Sequence, residues 1–125
     1  MFRTYRVRRR RKASQASVAR YEEYKEAARA LVHARLLHFA PLLNVTYKKV
    51  FIKNSRTRWG SCSKLGNLNF NYRLALLSPE LADYVVVHEL CHLLHFNHSK
   101  VFWDEVGKLL PEWQRLRTEL RKIHF

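Results

Sequence analysis

Two histidines and a glutamate in the second half of the chain have the types and spacing of a metal site. They belong to the segment HELCH at 88–92, in which His88 and His92 are four residues apart. On an α-helix, residues four apart differ by only ~40° around the axis, so both imidazoles can reach one ion. Glu89 lies beside them and can hold a water molecule bound to the metal. Because zinc lowers the pKa of such a water to ~7 and a carboxylate can take its proton, the pattern predicts hydrolysis.

The residues around this motif predict a buried helix. Apolar side chains fall on nearly all sides of it, at Val85, Val86, Val87, Leu90, Leu93 and Leu94. Buried imidazoles and carboxylates are costly unless they are paired or bound to a metal, and burial therefore favours a metal site. The alternative is a pair of core histidines that are hydrogen-bonded to their neighbours.

Two further histidines follow, and either of them could be a third ligand. His95 continues the same helical face, and His98 lies ten residues after His88, just beyond the expected helix end. A catalytic zinc site has three protein ligands and leaves a fourth position open to water. Four histidines within eleven residues also argue against a chance occurrence of the motif.

Several ordered segments together resemble the YgjP-like metallopeptidases, which are zincins related to the SprT-like proteases. The segments are RWGSCS at 58–63, GNLNFNYRL at 66–74, VHELCHL at 87–93 and NHS at 97–99, followed by Phe102 and Trp103. The resemblance covers about residues 45–113. It implies a zinc metallopeptidase that cleaves peptides or proteins. It also implies one zinc ion per chain held by His88, His92 and His98, with Glu89 as catalytic base.

Distance along the helix also favours His98 over His95 as the third ligand. On a regular helix His95 would lie ~10 Å along the axis from His88, whereas Zn–N bonds are only ~2.0–2.1 Å long. A chain reversal at Phe96 and Asn97 would bring His98 back to the pair, because asparagine tolerates the left-handed conformation. We expect the imidazole of His95 to lie beside the ligands, where it donates to a water or stabilises an oxyanion.

Two other functions could use the same histidines. Some members of the resembling family are described as nucleotide pyrophosphatases, and a formal charge of +14 would suit a phosphate substrate. The other alternative is a non-enzymatic nucleic-acid-binding module with a structural zinc. Such a closed zinc site needs a fourth protein ligand, for example Cys62 or His95.

The elements that must position these residues run from helix to strands to helices, which predicts an α+β fold. We expect a helix at 17–40 that ends at Pro41, a strand at 45–53 and a short strand or loop at 57–62. A hairpin turn at 63–66 and a strand at 68–76 follow. Ser78, Pro79 and Glu80 form a strong helix start, so a helix should run to about residue 96. Helices from about Ser99 and Pro111 complete a minimal zincin, with a small antiparallel sheet on a buried HExxH helix.

The strand at 68–76 has one apolar and one largely polar face. The polar face carries Asn69, Asn71 and Arg73. These three side chains could line a substrate groove, since zincins resemble one another in binding peptides along an edge strand. The alternative is an ordinary solvated strand face.

The N-terminal residues carry an unusual concentration of positive charge. Residues 1–14 are predicted to be a flexible basic arm and 15–125 a single domain. The run Arg8, Arg9, Arg10, Arg11 and Lys12 could contact nucleic acid weakly and without sequence preference, through phosphates.

Composition narrows the location of the protein. No stretch of 18 apolar residues occurs, so no membrane span is predicted. The two cysteines, Cys62 and Cys91, are too few for a disulfide framework and are expected to be small buried residues in a reducing cytoplasm. Gly60, in the turn before Cys62, permits a close backbone approach.

Overall fold

The computed structural model describes residues 14–125. The basic run at 8–12 lies outside these residues, so its predicted flexibility and nucleic-acid contact stay predictions. The described part begins at Ser14, whose hydroxyl accepts a hydrogen bond from the backbone N–H of Ser17 and caps the first helix. The elements in chain order are α1 Gln15–Leu43, β1 Val50–Lys53, β2 Gly60–Cys62, β3 Leu68–Asn71, a 3₁₀ helix Tyr72–Leu76, α2 Pro79–Cys91, α3 Lys100–Leu109 and α4 Trp113–Arg121.

The strands form one mixed sheet in the order β1-β3-β2. β2 and β3 are antiparallel, with Gly60 opposite Phe70, and the hairpin between them turns at Gly66, where φ is +92°. β1 and β3 are parallel, with Val50 opposite Leu68. The α+β class is confirmed, but the sheet is not antiparallel throughout. Its parallel pair arises because the chain forms β2 on the far side of β3 before it returns beside β1.

β3 is shorter than the predicted strand at 68–76. It ends at Asn71, whose side-chain oxygen accepts a hydrogen bond from the backbone N–H of Arg73 and turns the chain into the 3₁₀ helix. Tyr72 and Leu74 are nevertheless fully buried. The alternating pattern therefore predicted correctly that Tyr72 and Leu74 are buried, but these residues are in the 3₁₀ helix and not in a strand.

Helix α1 continues past the proline that was expected to end it. Pro41 lies within the last turn, and the helix ends where Asn44 adopts a left-handed conformation with φ of 55°. The buried side of α1 packs against α2 and the 3₁₀ helix. It carries Ala28, Val32, Leu36, Phe39 and Ala40.

Helix α2 lies at the centre of the core. It begins as predicted, with the hydroxyl of Ser78 accepting a hydrogen bond from the N–H of Leu81. Val86, Val87 and Leu90 are completely buried. The helix ends at Cys91 instead of about residue 96. This early end decides how the histidines after it are placed.

Candidate metal centre and active site

The side chains of His88, His92 and His98 meet at one point. Their Nε2 atoms are 3.3 Å apart between His88 and His92, 3.1 Å between His92 and His98, and 3.2 Å between His98 and His88. Neutral imidazole nitrogens with converging lone pairs are an unfavourable arrangement unless a cation lies between them. The three residues can therefore hold a metal ion.

The end of α2 explains how His98 reaches the other two. His92 occupies the C-terminal cap, and the backbone N–H groups of Leu94 and His95 both donate to the carbonyl of Cys91. The chain thus leaves the helical path three residues before His95. The expected left-handed Asn97 is not found, since Asn44 is the one non-glycine residue of 14–125 with a positive φ. The reversal happens earlier, in this tight turn.

His95 contributes its backbone carbonyl to the centre, and the expected role of its imidazole stays a prediction. Nδ1 of His92 lies 3.1 Å from the carbonyl oxygen of His95. A carbonyl can only accept, so Nδ1 carries the hydrogen and Nε2 of His92 presents its lone pair to the other histidines. The imidazole of His95 does not line the cleft described below.

The surroundings keep the three histidines neutral. Burial lowers the pKa of His92 to about 4, with His98 beside it adding to the effect. Burial also lowers the pKa of His88 well below its usual range, and the nearby His92, His98 and Arg117 lower it further. For His98, burial and then Arg117 lower the pKa. Neutral imidazoles are the protonation state that binds a metal.

The spacing of the three nitrogens fits a tetrahedral ion. Nitrogens bound at ~2.0–2.1 Å to a tetrahedral centre such as zinc lie about 3.3 Å apart, close to the observed distances. Within residues 14–125, no cysteine, carboxylate or fourth histidine joins the group. Three protein ligands leave one position open, which is the arrangement of catalytic rather than structural zinc sites.

Glu89 lies next to the histidines, and its carboxyl is buried. Its side chain is 2% exposed, and Oε1 is buried without a hydrogen bond from the described residues. Burial raises the pKa of this carboxyl well above its usual range, and Arg58 opposes that rise. A buried carboxyl without a hydrogen-bond partner is costly, and carboxyls with a pKa shifted in this way are common at functional sites.

Gly60 makes room for Glu89 beneath β2. A Cβ atom added to Gly60 would lie 3.0 Å from Cγ of Glu89, 3.1 Å from its Oε2 and 3.1 Å from the carbonyl oxygen of Asn69. These distances are shorter than normal contacts, and the strand backbone cannot move aside easily. The close approach expected of this glycine is therefore an approach to the carboxyl of Glu89.

Replacing Gly60 with alanine should lower kcat/KM by about 10- to 100-fold with zinc content unchanged, because a small displacement of a catalytic group has effects of this size. Gly107→Ala in α3 is the matched control, because it makes the same chemical change at a looser contact. Its new Cβ would lie 3.4 Å from the indole of Trp113. Both variants should be compared by kcat/KM and by metal analysis. Wild-type activity in Gly60→Ala would show that the contact does not position Glu89.

A cleft of about 250 Å³ opens beside His88, Glu89 and His98. The loop at 57–60 and the last helix, α4, contribute most of the rest of its lining. Trp103 also lines it, and Trp113 stacks on Trp103 with the ring centroids 4.3 Å apart. The sequence offered no signal for Arg58, Arg117 and Arg121, which line the cleft from two distant segments.

The residues predicted to line a substrate groove have other roles. β3 is the central strand, bonded on both sides, so it cannot be the edge that receives a peptide. Asn71 is 1% exposed, and its Nδ2 donates to the carbonyl oxygens of Ser55 and Arg58 at 2.9 Å. Arg73 also donates to Ser55, and Asn69 donates to Ser61. None of the three lines the cleft; Asn71 and Arg73 hold the loop that does.

Both cysteines are buried, and their thiols are unreactive at neutral pH. Burial raises the pKa of the Cys62 thiol to about 12, and nearby Glu89 adds to the rise. Burial likewise raises the pKa of Cys91 to about 12. Thiols with such a high pKa are not nucleophiles at neutral pH, so the expectation of small buried residues agrees with the structure.

The small α+β fold and the converging histidines are what a metallopeptidase requires. The model of the YgjP-like metallopeptidase domain matches residues 2–123, and the chain belongs to the YgjP-like family. A search among curated proteins found no significant match.

A solved structure supports the same classification. The chain is similar to the crystal structure of the metallopeptidase zymogen abylysin of Pyrococcus abyssi. The two are 26% identical with a TM-score of 0.67, and the match covers 73% of this chain and 92% of that one. The protein is thus a metallopeptidase, whose substrates are peptides or proteins. The pyrophosphatase and structural-zinc alternatives are not favoured. No helix of residues 14–125 has the length and apolar character needed to cross a membrane.

Proposed function

We propose that this metallopeptidase is a zinc enzyme with one zinc ion per chain, held by His88, His92 and His98. The observation that carries the proposal is the convergence of the three Nε2 atoms at 3.1–3.3 Å. Imidazole nitrogen is a preferred ligand of zinc, and the three distances suit its tetrahedral geometry. When bound, the ion would polarise the scissile carbonyl and make water acidic enough to ionise near neutral pH.

Glu89 is the catalytic base in this proposal. Its carboxylate takes the proton of the attacking water and then gives it to the amine that leaves. Gly60 leaves space for the carboxyl, and burial excludes competing water. His92 is held in orientation by the hydrogen bond from its Nδ1 to the carbonyl of His95.

Purified protein prepared without chelators should contain one equivalent of zinc, because the buried histidines need a cation. It should cleave dye-labelled casein, lose that activity after chelation and regain it with added zinc. Elemental analysis is the direct measurement, with His88→Ala as the control that should lose the metal. Zinc well below half an equivalent in active protein would contradict the proposal. A parallel assay for phosphate release from nucleoside triphosphates should be negative.

Three finer expectations stay predictions. A relation to SprT-like proteases rests on the resemblance of motifs alone. A cytoplasmic location rests on the two unpaired cysteines. Weak nucleic-acid contact rests on the charge of residues 8–12.

A further inference from the structure

Three arginines line the cleft beside the metal centre. Arg117 and Arg121 are one turn apart on α4, so they share a face of that helix. Arg58 comes from the loop that precedes β2. Glu89 is the one acidic residue among the described residues of the lining. The cleft is therefore strongly positive.

These guanidinium groups are not paired with carboxylates of the described residues. None of the three forms a salt bridge within residues 14–125, and residues 1–13 contain no Asp or Glu. Arg115, two residues before Arg117, differs completely. It does not line the cleft, and its guanidinium pairs with Glu80, Glu112 and Glu119 at 2.7–3.1 Å. The same helix thus presents a neutralised arginine outside the cleft and uncompensated ones inside it.

The side chain of Arg117 and the backbone of Arg58 are also held in place. Arg117 is half-buried, and its guanidinium lies over the ring of Trp103, 5.2 Å from the ring centroid. The backbone of Arg58 is held by the hydrogen bond from Asn71 to its carbonyl. Arginines ordered before a ligand arrives lose less entropy on binding, and their planar donors match the two oxygens of a carboxylate.

We propose that this cleft selects peptides with a carboxylate close to the scissile bond, recognised by Arg117 and Arg121 with support from Arg58. The inference rests on the proposed peptidase function of the same site. The carboxylate could belong to an Asp or Glu side chain or to the free C-terminus of the substrate. Both sources present the same chemistry to the arginines, and the peptides described next distinguish them.

Quenched fluorescent peptides that differ only in Glu, Gln or Lys near the cleavage site, each with a free or amidated C-terminus, test the preference. We expect kcat/KM for the carboxylate-bearing peptides to exceed the neutral ones by at least about fivefold, as a charge-assisted hydrogen bond would give. The lysine peptides should be the poorest. A preference for Glu over Gln in amidated peptides identifies a side-chain site, and a preference for free over amidated ends identifies a C-terminal site.

The variant Arg117→Gln/Arg121→Gln should reduce this ratio to about one while the neutral peptide is still cleaved. Arg29→Gln/Lys122→Gln removes two charges from outside the cleft lining and should keep the wild-type ratio. Equal cleavage of acidic and neutral peptides by the wild type, or an unchanged ratio in the cleft variant, would overturn the inference.

Binding separates this inference from the proposed function. Labelled peptides should bind zinc-free Glu89→Gln with the same preference for carboxylates, as measured by fluorescence anisotropy. Selective binding without cleavage by the zinc-loaded wild type would leave the inference standing and remove the proposed function. Cleavage without a preference for carboxylates would leave the proposed function standing and remove the inference. Tight binding of pyrophosphate with no discrimination among peptides would mean that the arginines serve phosphate, and the inference would fail.

Discussion

Glu89→Gln should bind zinc normally and lose at least ~100-fold in kcat, the usual contribution of a general base. Glutamine has the shape of glutamate, so it fits the space beside Gly60, but it cannot accept the proton of the attacking water. The carboxyl is buried and its Oε1 accepts no hydrogen bond from residues 14–125, so the replacement breaks no contact known to hold the fold. The loss should therefore fall on kcat with little effect on folding.

Steady-state kinetics and metal analysis of the same preparation measure the two parts of this expectation. Glu22→Gln on α1 is a matched control, because it makes the same chemical change at an exposed ion pair with Lys25. The control should keep full activity. If Glu89→Gln loses zinc together with activity, Glu89 is a ligand or a structural residue, and the assignment of the base is wrong.

His98→Ala should weaken zinc binding far more than the ~10–100-fold that loss of an outer hydrogen-bond partner produces. Nε2 of His98 lies 3.1 and 3.2 Å from those of His92 and His88, so its removal leaves two ligands. His95→Ala should keep zinc, because the carbonyl that accepts from His92 belongs to the backbone and survives the substitution. The His95 imidazole is not one of the three that converge, so the cleavage rate of this variant should also stay close to that of the wild type.

Competition with a chromophoric chelator gives the zinc dissociation constants of both variants. The pair forms its own control, since each removes one imidazole from the segment that follows α2. Retention of tight zinc by His98→Ala, or its loss in His95→Ala, would reverse the ligand assignment. Such a result would mean that the chain after α2 bends differently in solution and brings His95, instead of His98, to the other two histidines.

Much of the site could be predicted because it depends on neighbours in sequence. The four-residue spacing of His88 and His92 places both imidazoles on one side of any α-helix. The start of that helix at Ser78 and its burial follow from a capping hydroxyl and an apolar run, and both are observed. His98 was expected because three ligands must converge within a few ångströms, and a straight helix cannot bring a third turn inward.

The route by which His98 arrives was predicted less well. We expected Asn97 to adopt a left-handed conformation and reverse the chain. Asn97 does not have a positive φ, and the helix already ends at Cys91. Apolar residues at 93 and 94 continue the helical pattern, and local propensity therefore favours a longer helix. Packing of His92 against the carbonyl of His95 and against His98 selects the shorter one.

The sequence by itself determined the catalytic motif, the α+β order of elements and the burial of the helix that carries the motif. The tertiary structure decided the mixed sheet, the fit of Gly60 against Glu89, the use of Asn71 to hold the loop at 55–58, and the meeting of Arg58 with Arg117 in one cleft. The physical reason is the distance along the sequence over which each interaction acts. Helix faces and caps depend on residues within one or two turns, whereas strand pairing and cleft lining depend on contacts between segments that only the folded core brings together.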